Sequence, residues 1–168
     1  MGINSSAGFL NMFNSWLHQI ALIIYLGAIV GLWILLLPSA SALDKFDDRV
    51  HFLSRGLKLY NPLQVGALGV LLFTGAFQLT DLKAELRETF VKQLGYNLSV
   101  KLLFAFILVI VSVYQAMGIG HRFVKRYENG ERITPEEVRA LMRRLTGTQW
   151  CILILIALTT WLGLTLRQ

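Results

Sequence analysis

Four stretches of this chain are too long and too apolar for an ordinary water-soluble fold: Trp16 to Pro38, Tyr60 to Thr80, Leu98 to Gly118 and Thr148 to Leu166. A bilayer core takes roughly 20 consecutive apolar residues per helix, with about 17 to 25 tolerated. Among the four, only Lys101 is charged, and it lies near the first turn of its stretch. Backbone N–H and C=O groups in hydrocarbon must be paired within the segment, which selects the α-helix. The expectation is therefore an all-α integral membrane protein, a four-transmembrane-helix bundle forming one domain over residues 1–168. Overall composition agrees, with 55% hydrophobic and 15% charged residues, where a soluble domain carries about 25% charge.

A single cysteine, Cys151, excludes an internal disulfide framework and Cys-rich zinc or iron–sulfur sites. At the start of the fourth stretch it is expected to pack as a small buried hydrophobe. Ala40-Ser41-Ala42 after an apolar run imitates a signal-peptide cleavage site. The first fifteen residues, however, contain no Lys or Arg, and the run is too long for such a signal. Met1-Gly2 with Ser6 fits a short myristoylation pattern that a four-span protein does not need.

The charges predict an orientation. Lys45, Arg49, Arg55 and Lys58 lie between the first two stretches, and Arg122, Lys125, Arg126, Arg132, Arg139, Arg143 and Arg144 between the last two. These eleven outnumber Lys83, Arg87, Lys92, Lys101 and Arg167 on the other side. Positive residues favour the cytoplasm, so both termini are expected on the periplasmic side of a bacterial inner membrane. The net charge of +6 is mostly this asymmetry and gives no reason to expect nucleic acid. Lipid headgroups are the plain partners for these residues, a docking surface the alternative.

Both basic loops read as helical. Leu43, Phe46, Val50, Leu53, Leu57 and Tyr60 recur at helical spacing and predict a short amphipathic helix on the membrane surface, running into the second span near Pro62. Thr134-Pro135-Glu136-Glu137 combines a capping box with proline at the first helical position. A short helix from Pro135 to about Leu145 is expected to follow.

Polar side chains within the spans are costly in lipid and face partners, cavities or cofactors. His18, Ala21, Tyr25, Ala28 and Leu32 share one face of the first span. Gln64, Leu68, Leu71, Gly75 and Gln78 share one of the second, and Lys101, Ala105, Leu108, Ser112 and Gln115 one of the third. The polar members separate into an outer layer (His18, Gln78, Lys101, with Thr159 or Thr160) and an inner one (Asn61, Gln64, Gln115, His121, Gln149). Lys101 has a plain reading as a snorkelling interfacial lysine, and the glutamines as interhelical hydrogen-bonding groups. His18 is either bonded to a neighbour or a ligand of haem iron or another metal. At 1.5 Å rise per residue the two layers are about 25–30 Å apart, so His18 and His121 of one subunit cannot share a haem. His51 with His121 is the remaining pair, beside the loops. Gly27-x-x-x-Gly31 permits close helix approach, within the bundle or to a second copy.

Several short motifs follow one another in a familiar order. Trp16-Leu17-His18 precedes Tyr25 and Gly27; Gly31-Leu32 leads to Leu37-Pro38; Arg49, Arg55, Leu59-Tyr60 and Pro62 open the second span; Thr74-Gly75, Tyr96 and Lys101-Leu102-Leu103 complete the series. From Trp16 to about Gln115 the chain resembles the CopD-like group of bacterial membrane proteins, which includes copper-resistance D domains and HemJ-type protoporphyrinogen oxidases. It departs at two positions: Gln115 follows Tyr114 where HemJ-type sequences place histidine, and Tyr25 stands in place of tryptophan. The resemblance implies a b-type haem or other redox role, with His18 as ligand and Lys101 as the functional lysine, and Tyr25 and Gln78 beside the cofactor.

The leading expectation is a haem-b protein that moves electrons, alone or with other membrane subunits or copies of itself. Protoporphyrinogen oxidation is the enzymatic alternative, with Lys101 holding a propionate. Copper passage is a third reading, although Met1, Met12, Met117 and Met142 form no paired set of soft ligands. A cofactor-free accessory subunit of a respiratory or photosynthetic complex is the fourth.

Overall fold

The computed structural model describes residues 3–85 and 95–165. Every regular element among them is helical. Helix α1 (Ile3–Val30) passes through a π-helical segment, Gly31–Leu36, into α2 (Leu37–Ser41) and forms the first rod. The second rod is α3 (Phe46–Glu85). The third is α4 (Gly95–Val113), a π-helical segment Tyr114–His121 and α5 (Arg122–Glu128). The fourth is α6 (Pro135–Thr165). Each rod is long and apolar enough to cross a membrane.

The expected short loop helices are not separate elements. Phe46 to Leu59 is the opening of the 40-residue α3, and Pro135 to Leu145 the opening of the 31-residue α6. At 1.5 Å per residue α3 is about 60 Å long, twice a hydrocarbon core. Nor does the apolar face of the first lie on a membrane surface. Val50, Leu53 and Leu57 pack with Leu36, Phe123, Val138, Leu141 and Leu145 in one buried cluster. That face is satisfied by protein, and the four rods continue as a bundle beyond the apolar stretches.

A second cluster of Tyr25, Ile29, Ala67, Leu68 and Ile152 fills the other half of the bundle. Around it large apolar side chains face outward, among them Trp16, Ile23, Phe73, Phe77, Phe106 and Trp161. Cys151 is also exposed, contrary to its expected burial. It neighbours Trp150, itself exposed, on the outer surface of α6, while Gln149 and Ile152 take the inner face.

The two π segments fall where buried residues recur every fourth position: Ala28, Leu32, Leu36 and Ala40 on the first rod, and Ala116, Gly120 and Val124 beside Gln115, Ile119 and Phe123 on the third. Four residues overshoot a regular α-turn by about 40°. A wider π turn absorbs that drift and keeps one face on the core.

Close approaches are made by glycines other than the full expected pair. Gly31 lies against the Tyr60 ring, but a side chain at Gly27 would meet open space. Gly56 accepts Leu36, whose methyl would lie 2.1 Å from an added Cβ. The last loop is held by the capping box: Thr134 N–H donates to Glu137 Oε2 at 3.0 Å, and Glu137 N–H to Thr134 Oγ1 at 3.3 Å. Arg126 pairs with Glu131 and with the second oxygen of Glu137.

These bonds, the Thr134 amide first and Arg126 second, hold the Glu137 carboxyl below its usual pKa. A depressed carboxylate stabilises the fold above its unfolded value, about 4.3. That contribution is lost as pH falls through the lower folded value. The protection factor of the Thr134 amide, its exchange compared with that of an unstructured peptide at the same pH, is therefore expected to fall below about pH 4.3 in wild type. In Glu137→Ala, which removes the acceptor, protection should be low already at neutral pH, with that acid step removed.

Candidate functional site

His18 lies on the inward face of α1, half-buried, seven residues before Tyr25. Its Nδ1 is 2.7 Å from Thr74 Oγ1 on α3. The Thr74 hydroxyl donates its one proton to the Val70 carbonyl at 2.7 Å, so its oxygen accepts from His18 Nδ1–H. This assigns the tautomer. In the neutral ring the Nε2 lone pair is then free, and among the described residues nothing bonds Nε2. Asn14 Nδ2 donates to the Thr74 carbonyl at 3.2 Å and ties the same two helices. Gly75 faces the ring, and an added Cβ would lie in ordinary contact, 3.6 Å from His18 Cε1.

Lys101, half-buried on α4, is close enough for its charge to act on His18. The structure thus brings together the expected imidazole and ammonium. Gln78 is half-buried one turn beyond Thr74 on α3. Tyr25 belongs elsewhere. It is about 10 Å further along α1, and its hydroxyl is bonded to Ser112 with the Gln64 amide beside it. Thr159 bonds the Leu155 and Ile156 carbonyls of its own helix, and Thr160 is exposed. The Tyr96 side chain lies outside the described residues.

Tyr25 instead touches a second polar layer. Between the two apolar clusters, every rod after the first places buried polar groups: Asn61 and Gln64 on α3, Ser112 and Gln115 on the third rod, and Gln149 on α6. Gln64, Gln115 and Gln149 are at most 1% exposed. The sequence grouped Asn61, Gln64, Gln115 and Gln149 as an inner layer, with His121; the four are buried and His121 is exposed. His51 Nδ1 lies 2.8 Å from the Tyr127 hydroxyl.

The inner layer meets the surface along a groove of about 530 Å³ between α3 and the third rod, lined by Lys58, Asn61, Gly66, Met117, His121 and Glu128 among others. Gly120 packs on the Asn61 amide so closely that an added Cβ would be 2.4 Å from Nδ2. Because Asn61 faces Gly120 and His18 faces Thr74, the His18 and His121 levels differ by about 13 residues of α3, or about 20 Å. That is shorter than the spacing expected from the sequence, but still too far for one haem to bridge. Among the described residues no group of three His, Cys, Asp or Glu is placed to hold a metal ion.

The comparisons with known proteins return nothing: no family model, no curated protein and no solved structure matches the chain. The likeness to CopD-like proteins therefore rests on the sequence motifs alone.

Sequence reasoning had Thr74 only as part of a motif and passed over Asn14 and Gly120. For Gly120 the available signal was a small residue four positions after Ala116 on a buried face. Gly120→Ala should overpack the Asn61 contact and destabilise the protein by about 1–3 kcal/mol. In Asn61→Ala/Gly120→Ala the two losses should fall short of additivity by about 0.5 kcal/mol or more. Denaturant unfolding of the four proteins in one detergent measures both.

Proposed function

We propose that the protein crosses a bacterial cytoplasmic membrane four times and carries a b-type haem on His18, serving as an electron-transfer subunit. The observation that carries this reading is the His18–Thr74 bond. An iron-ligating imidazole needs one nitrogen free and the other anchored, so that ring orientation and tautomer are held. His18 has that arrangement: Nδ1–H on Thr74 and Nε2 unbonded among the described residues. The order of CopD-like motifs supports it further.

His18 would supply an axial nitrogen, and Lys101 a cation for a propionate. A bound haem contributes a one-electron iron couple whose potential responds to ligand, burial and nearby charge. Thr74 fixes the donor strength of His18, and Asn14 holds the α1–α3 seam on which both depend. With His51 and His121 at the other end, this chain offers one imidazole per site. Any second ligand to such a group would come from a non-histidine side chain or another chain.

Membrane insertion is supported by four rods of sufficient length and by the apolar side chains turned outward around the second cluster. Eleven basic residues in the loops between the first two and the last two apolar stretches, against five elsewhere in the sequence, support an orientation with those loops in the cytoplasm and both termini in the periplasm.

A reduced-minus-oxidised spectrum of the purified protein is expected to show b-type bands. His18→Ala should abolish them while helicity and monodispersity persist. Thr74→Val should retain the bands with haem affinity lowered about 10–100-fold. Bands absent from wild type, or unchanged in His18→Ala, would exclude haem ligation by His18.

A further inference from the structure

The inner polar layer is not self-sufficient. Gln115 and Gln149 are completely buried, yet both the oxygen and the nitrogen of each side-chain amide have no hydrogen-bond partner, and neither has Asn61 Oδ1. A primary amide offers two donors and an acceptor with two lone pairs. Buried polar groups are almost always satisfied, and orphans of this kind mark a bound water or ion. With Gln64 Nε2, six such atoms at one level, contributed by three rods, make a shared site more economical than separate defects.

The chemistry of the layer selects its occupant. Asn61, Gln64, Ser112, Gln115 and Gln149 are all neutral, and each side chain carries both a donor and an acceptor. A cation would meet amide N–H groups and find no carboxylate; an anion would find no cationic side chain. Water satisfies donors and acceptors together. The route is also visible. Asn61, only 7% exposed, lines the groove whose mouth carries the exposed Lys58–Glu128 ion pair. From Leu57 to Gly66 that groove follows α3 for about 14 Å, from the charged end of the bundle towards the amides.

We propose that the amide layer is an internal hydration site, occupied by a small cluster of waters held by Gln115 and Gln149 and entering past Asn61. The site brings water from the Lys58–Glu128 end towards the Tyr25–Ser112 hydroxyl pair. It does not depend on haem at His18.

The test is nuclear magnetic resonance on full-length, ²H,¹⁵N-labelled protein in deuterated detergent. Wild-type Gln115 and Gln149 side-chain N–H₂ groups are expected to show cross-peaks to water. Gln115→Leu and Gln149→Leu identify each signal by its loss, and Asn61→Leu, which closes the entry, should slow the exchange of both amides with D₂O. Wild-type amides that show contacts to each other and none to water would overturn the proposal, because the layer is then a dry network. Unchanged exchange in a folded Asn61→Leu would overturn the entry route.

Discussion

A backbone that closes its own hydrogen bonds inside long rods governs everything else in this protein. Once each rod satisfies its N–H and C=O groups internally, the outer surface is free to be apolar. Trp16, Phe73, Phe106 and Trp161 can then face outward without leaving any peptide group bare. The inner surface is left to set specificity. In lipid, apolar contact alone does not choose between faces, since lipid chains are as greasy as leucine. Small residues and a few polar bonds must therefore set register. Gly31 against Tyr60, Gly56 under Leu36 and Gly120 against Asn61 fix distances, while His18–Thr74 and Tyr25–Ser112 fix rotation.

The halves of the bundle solve different problems. At the Lys58 end the rods are amphipathic, and their apolar faces form an ordinary core with charges outside, including the Arg126–Glu131 and Arg126–Glu137 pairs. Such exposed pairs contribute little to stability individually. Their part here is geometric, holding the short turn between α5 and α6. At the other end the core is thinner and the apolar surface wider. The neutral amides occupy the boundary, where a hydrogen bond is most directional and a charge would be most expensive.

Much of this was legible in the sequence. The inward faces of the first three spans came from 3.6-residue spacing, and Ala21, Tyr25, Ala28, Leu32, Gln64, Leu68, Ser112 and Gln115 are buried as that spacing requires. The Thr134 capping box was also readable, since it is a local motif. Helix ends were not. The third span reads as ending at Gly118 because hydropathy drops there, yet the helix continues to Glu128, its later turns buried against protein rather than lipid. Periodicity likewise could not tell a surface-lying amphipathic helix from the opening turns of α3, because both show one apolar stripe. Cys151 was misjudged for a related reason: near the end of a span, hydrophobicity says little about which side is inward.

The separation of Tyr25 from His18 is the most consequential result for any chemistry. On a helical wheel both sit on one face of α1, and the family resemblance places both beside a cofactor. Along the axis, however, they lie two turns apart and answer to different neighbours: Thr74 and Lys101 for one, Ser112 and Gln64 for the other. Any group held by His18 would lie beside the α1–α3 seam, whereas the hydroxyl pair meets the amide layer. Electron chemistry at the first and hydrogen-bond exchange at the second would thus be separated by about 10 Å of helix. Substitutions at Tyr25 should then perturb the bundle's polar layer without removing the imidazole's anchor. That division follows from two bonds, His18 to Thr74 and Tyr25 to Ser112, each tying α1 to a different rod.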